Sequence, residues 1–179
     1  MKTNKLFFLS ISILSILISS CNTYDNSTDD FSKYKLDNET YFSNMKDSAG
    51  YVLYSIPIAR GGSSFYYKIT TQGNQNYGSP TLTDSVKVNY RGRFVNGNVF
   101  EQTYTGSLAN NISAKPYTFK LDGLLGGWQE NLTHMKAGEI RTIVLPQELG
   151  YGVYGAGPIP PFSTLVFEIQ LITFTSQNK

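Results

Sequence analysis

One cysteine, Cys21, and one histidine, His134, limit the side-chain chemistry open to this 179-residue chain. A lone cysteine cannot form an internal disulfide. Together the two residues cannot build a thiolate or imidazole metal cluster, and they exclude most Cys- or His-based nucleophile systems. Carboxylates for a hard cation are present, but no acidic loop has the spacing such a site uses. No cofactor is implied. The formal net charge is +2, and two of the fifteen basic residues, Lys2 and Lys5, fall within the first twenty positions. Without them the charges balance, so a nucleic-acid partner has no electrostatic footprint to bind. His134 reads as a surface or rim residue rather than a catalytic base.

Cys21 is informative through its position. Residues 1–5 are short and basic, residues 6–18 are almost wholly apolar, and Ile18-Ser19-Ser20-Cys21 follows. This is the build of an export signal, and the apolar run is too short for a comfortable membrane span. Cysteine directly after small residues resembles the bacterial lipobox. That resemblance implies cleavage before Cys21, lipidation of the new N-terminal residue, and a stable anchor to the periplasmic side of the inner or outer membrane. Residues 22–30, rich in Asn, Ser, Thr and Asp, are expected to form a flexible tether. The expected plan is a signal peptide at 1–20, a tether and N-terminal extension at 21–62, and one domain at 63–179.

The elements of that domain follow from periodicity. Val86-Lys87-Val88-Asn89-Tyr90-Arg91-Gly92 alternates as a strand with one buried face. Asn96-Gly97 is a favoured pair for a tight two-residue hairpin, returning through Val99-Phe100-Glu101. Tyr117-Thr118-Phe119-Lys120-Leu121 alternates again. Leu125, Trp128, Leu132 and Met135 recur at spacings of three and four, predicting a short helix that stops near Gly138. Residues 140–145 and 165–174 complete the strands, the latter with Leu165, Phe167, Ile169 and Leu171 on one face. Residues 66–71 are expected as an edge strand, and 51–56 as a strand stopped by Pro57. Sixteen glycines, 14% aromatic residues and few charges fit a β-rich chain with many turns. The fold class is α+β, an antiparallel sheet curled over one short helix.

Six segments in order then identify a family: Val88-Asn89-Tyr90-Arg91-Gly92, Asn96-Gly97-Asn98-Val99-Phe100, Gly127-Trp128, Leu149-Gly150-Tyr151-Gly152, Gly155-Ala156-Gly157-Pro158-Ile159-Pro160-Pro161 and Thr164-Leu165-Val166-Phe167-Glu168. Residues 65–173 resemble the FKBP family of peptidyl-prolyl cis-trans isomerases, and the overall plan also looks like the periplasmic prolyl-isomerase lipoproteins of gliding bacteria. The resemblance implies that Trp128 forms a pocket floor, with Tyr90, Phe100, Tyr117, Leu124, Leu125 and Phe167 as walls. It also implies that the Leu125 N–H and the Tyr151 hydroxyl bind substrate carbonyls, and that Ile159 overhangs the site. Phe119 and Phe174 are expected in the core.

Three departures stand out. Glu101 occupies the family's usual Asp position, Tyr117 replaces Phe, and residues 106–115 lengthen a loop that is expected to be solvated and mobile. Two functions compete on the same pocket. One is an isomerase acting on proline-containing segments of exported proteins; the other is a low-activity proline-binding chaperone or assembly module at the membrane. Retention of the pocket aromatics argues against a purely structural lipoprotein.

Overall fold

The computed structural model describes residues 27–108, 111 and 114–175, with side chains from residue 31 onward. The leader, Cys21 and loop residues Asn110 and Ser113 lie outside the described residues. In chain order the elements are α1 (Ser27–Asn44), β1 (Val52–Ser55), β2 (Ser64–Thr71), β3 (Ser85–Phe94), β4 (Val99–Gln102), β5 (Tyr117–Lys120), α2 (Gly126–Leu132), β6 (Ile140–Leu145) and β7 (Leu165–Thr175). The strands form one antiparallel sheet in the order β1-β2-β6-β7-β3-β4, and β5 pairs with the part of β3 that β4 leaves free.

Alternation sends Val86, Val88 and Tyr90 of β3 and Leu165, Phe167, Ile169 and Leu171 of β7 to one face, where all are buried. Helix α2 packs into that face through Trp128 and Leu132, with Met135 just beyond its end. Its C-terminal side rests on a buried ion pair. Arg141 donates to Glu139 and, at 2.6 Å, to the His134 carbonyl, while Glu139 accepts from the Lys136 N–H at 2.9 Å. The guanidinium thereby meets the His134 carbonyl just beyond the helix end, where backbone carbonyls lack helical partners.

The opposite face is covered as well. Tyr66, Val144 and Val166 stand side by side in register on β2, β6 and β7. Met45, Tyr41, Phe42 and Tyr51 close over them. Burying each such side chain is worth roughly 1.5–3 kcal/mol. Lower on the same face, Tyr104, Leu108 and Ile140 form a smaller cluster. With both faces covered, β6 is buried at all six positions and its sequence does not alternate.

Four expectations change. β2 is an interior strand, because β1 takes the edge beyond it. α1 is a helix of 18 residues that begins within the expected tether and packs against the domain. The loop at 106–115 is anchored at two of its described residues: Leu108 is buried, and the Asn111 amide donates to the Thr105 and Ser107 carbonyls at 2.6 and 3.0 Å. The β3–β4 connection runs over four residues instead of two. There the Gly97 N–H bonds the Phe94 carbonyl at 2.9 Å, and Gly97 takes the left-handed conformation (φ +89°) that closes the turn.

Candidate active site

The curl of the sheet leaves an opening beside α2. A cavity of about 160 Å³ lies there, lined by Tyr90, Glu101, Phe119, Leu124, Leu125, Trp128, Tyr151 and Phe167. Trp128 reaches it because α2 begins at Gly126, directly after Leu125, whose carbonyl accepts the Trp128 and Gln129 N–H groups at 2.9 and 3.0 Å. The Gln129 side chain then ties α2 back to the Leu124 carbonyl at 2.8 Å, fixing the short segment that carries Leu124 and Leu125.

The rings meet edge to face. Trp128 lies 5.1 Å from Tyr90 and 5.2 Å from Phe167, at interplanar angles of 83° and 87°. Phe100 stands at 89° to Phe167, 5.7 Å away. Edge-to-face pairs of this kind are worth about 0.5–1.5 kcal/mol each beyond the area they bury. The sheet admits them at Gly92. A Cβ there would lie 2.5 Å from Phe100 and 2.8 Å from Phe167, so any side chain would displace both rings.

Polar groups are few. The Tyr90 hydroxyl donates to Glu101 Oε1 at 2.6 Å. Burial first, and then the bond to and charge of Glu101, hold this phenol well above its ordinary pKa. The Tyr151 phenol is also raised, by burial and then by the Glu101 charge. Both hydroxyls therefore stay protonated at neutral pH and can donate. The longer Glu101 side chain keeps its carboxylate on the site. The Trp128 indole N–H is buried with no hydrogen-bond partner. Among the described residues the Leu125 N–H donates to no backbone carbonyl.

The structure thus gathers Tyr90, Glu101, Trp128, Tyr151, Phe167, Leu124 and Leu125 around one cavity, with Phe100 buttressing Phe167. Two expected positions differ. Tyr117 is 57% exposed and stacks on Phe119 at 5.9 Å, so it stands outside the cavity; Phe119, expected in the core, supplies the wall. Ile159 is buried, bridged to Ala156 at the tip of the loop after Tyr151, and is not among the lining residues. Alternation along β5 puts Tyr117 and Phe119 on one face, and nothing in that pattern says which of the two reaches the cavity. His134 is exposed and packs on Tyr54 at 4.9 Å, away from the lining residues. Phe174 packs half-buried against the core.

The chain also resembles known proteins. Residues 76–172 match the family model described as FKBP-type peptidyl-prolyl cis-trans isomerase. The chain belongs to the FKBP-type peptidyl-prolyl cis-trans isomerase family. It is 44% identical over 108 residues to the peptidyl-prolyl cis-trans isomerase Mip of Coxiella burnetii, an alignment covering 60% of this chain and 43% of Mip. It is 43% identical over 111 residues to the FKBP-type 22 kDa isomerase of Escherichia coli, covering 62% of this chain and 50% of that protein. The crystal structure of Escherichia coli FkpA superposes with a TM-score of 0.67 at 29% identity, covering 83% of this chain and 62% of the other. The chain spans half or less of the length of these curated relatives.

Proposed function

We propose that this chain catalyses cis–trans isomerisation of X-Pro bonds in exported polypeptides, held at the cell envelope by lipid on Cys21. Rotation about such a bond faces a barrier of about 18–20 kcal/mol because amide resonance must be lost. No bond breaks, so the reaction needs no nucleophile, which suits a site without Cys or His. The twisted amide carries less charge separation than the planar one, and a dry aromatic cavity therefore disfavours the ground state relative to the transition state. The proline ring lies against Trp128. The Tyr151 hydroxyl and the Leu125 N–H hold the carbonyls on either side, and Glu101 orients Tyr90. Lowering the barrier by about 4 kcal/mol gives about a thousandfold.

The observation that carries this reading is the cavity itself: edge-on aromatic walls, with Tyr151 and Leu125 among its lining residues. The Glu101–Tyr90 bond favours turnover over a low-activity binding module, since the carboxylate remains placed despite its extra methylene. A cis-to-trans peptide assay on the chain from Asn22, with several residues before proline, tests the activity. No acceleration over the uncatalysed rate rejects it. Among the described residues no helix is long and apolar enough to cross a membrane. Anchoring is tested by Cys21→Ser, which moves the protein from the detergent to the aqueous phase; a protein that stays in the detergent phase rejects the lipid.

A further inference from the structure

Helix α1 lies outside the isomerase core, yet its first turns do more than cover the sheet. They grip residues 162–164, the segment between the loop after Tyr151 and the start of β7. Asn38, 1% exposed, accepts the Thr164 N–H on Oδ1 at 2.8 Å. Its backbone carbonyl accepts the Thr164 hydroxyl at 3.0 Å, and its amide donates to the Tyr34 carbonyl at 2.8 Å. The Ser163 hydroxyl donates its one hydrogen to the Pro160 carbonyl at 2.7 Å, so in the 2.7 Å contact with Tyr34 it is the phenol that donates. Directly before these anchors Phe162 holds φ +62°, a positive value that no other non-glycine residue takes among those described. Such a backbone is strained and persists only where its surroundings over-determine it. Here they include the Phe31 ring edge-on at 5.8 Å and the Lys35 ammonium 4.9 Å over the ring.

What this conformation achieves is closure of a loop. In it the Phe162 N–H reaches the Gly152 carbonyl at 3.0 Å and joins the two feet of residues 152–162. One foot follows Tyr151, and the other leads through Thr164 into β7 and Phe167, so both feet carry a cavity-lining residue.

We propose that Tyr34 and Asn38 are positioning residues of the site: α1 holds Phe162 in its left-handed conformation, and Phe162 holds the loop base that sets Tyr151 against Phe167. This rests on the isomerase reading above. A helix acting in this way controls how well a peptide is received rather than the rotation itself.

The test uses the chain from Asn22 with Tyr34→Phe, which removes one hydroxyl and leaves the ring, and Asn38→Ala. Trp128 is the only tryptophan, so its fluorescence reports peptide binding independently of turnover. Losing one such hydrogen bond corresponds to about a threefold to tenfold weakening. That is the rise expected in KM and in the peptide dissociation constant, with kcat within twofold of the parent. Hydrogen exchange at the Phe162 amide should accelerate while the amides of β7 stay protected. A parent that turns over, with variants that lose thermal stability at unchanged KM and unchanged Phe162 exchange, overturns the proposal and leaves α1 a brace. A parent that binds peptide without turning over, with variants that bind more weakly, rejects the isomerase reading and keeps the positioning role.

Discussion

The two faces of the sheet are both buried, but by different means. On the face that cradles α2, aliphatic and aromatic side chains from β3, β6 and β7 converge over short, regular spacings, and the cavity opens among them. On the opposite face, coverage comes from α1 with the turn after it, and from the loop between β4 and β5; neither is part of the curled sheet. Each face also buries a tyrosine whose hydroxyl donates to a carboxylate, Tyr90 to Glu101 on one side and Tyr104 to Glu168 on the other. The same physical device thus serves a site on one face and a seam on the other. Burial alone does not mark function; what distinguishes the inner face is a cavity walled by edge-on rings together with Glu101 and Tyr151.

The sharpest way to break this comparison is to remove the floor. Trp128→Ala is expected to abolish measurable peptide turnover and to cost about 3–5 kcal/mol in denaturant unfolding, since the ring is 4% exposed. A folded variant with unchanged turnover sinks the site. Leu108→Ala on the outer face should cost about 2–5 kcal/mol as a buried leucine, with kcat/KM unchanged where the protein is folded. A fall in turnover parallel to that of Trp128→Ala would erase the distinction between the faces.

Smaller changes sharpen it. Tyr151→Phe removes a single donor and should lower kcat/KM by an amount equivalent to about 0.5–1.5 kcal/mol, with little change in melting temperature. Glu101→Gln keeps a hydrogen-bond acceptor for Tyr90, whereas Glu101→Ala does not, so Gln should reduce turnover less than Ala. A carboxylate acting as a general base would instead make the two equally damaging, at about 10²–10⁴-fold.

The least dramatic effect is a matter of pH. Tyr90 and Tyr104 are both raised above the ordinary 10.0, by burial first and then by the carboxylates they donate to. The folded state therefore binds more protons than the unfolded chain above pH 10. The resulting stability is complete below that value and is lost progressively as pH rises from it through the higher pKa of the folded tyrosines. Tyr104→Phe should flatten the alkaline limb of unfolding without touching activity; Tyr90→Phe should flatten it and lower activity. Turnover of the parent should be nearly level from about pH 6 to 8, where neither tyrosine titrates.

Much of the inner face was legible because its residues obey simple periods. Val86, Val88 and Tyr90, then Leu165, Phe167, Ile169 and Leu171, alternate without interruption, and Leu125, Trp128 and Leu132 recur at helical spacing. The outer face obeys no such rule. Helix α1 presents Phe31, Tyr34, Asn38 and Tyr41 at steps of three and four, with Met45 four further on and just past its end, a usable signal, but the stripe is aromatic and polar and falls in a segment read only as an N-terminal extension. Leu108 is one of few apolar residues in a polar loop, and its burial depends on Ile140, far along the chain. β2 was read as an edge although residues 51–56 were also expected as a strand, because neither segment's pattern says that the two pair with each other. At the cavity, the choice between Tyr117 and Phe119 turned on the curl of the sheet, which no local pattern encodes.

The strand order also sets a timetable. β3 is clasped between β4 and β5 on one side and β7 on the other, pairing Ser85 with Thr175 and Phe94 with Leu165. α2, at seven residues, is too short to persist alone in water. A chain made from its N-terminus therefore possesses every wall of the cavity except Phe167 until its last strand arrives, and nothing to hold them apart. Pairings this distant in sequence place folding in the slower range for single domains, about milliseconds to seconds. During that interval the molecule is itself an open chain exposing the edge of β3 that β7 will cover.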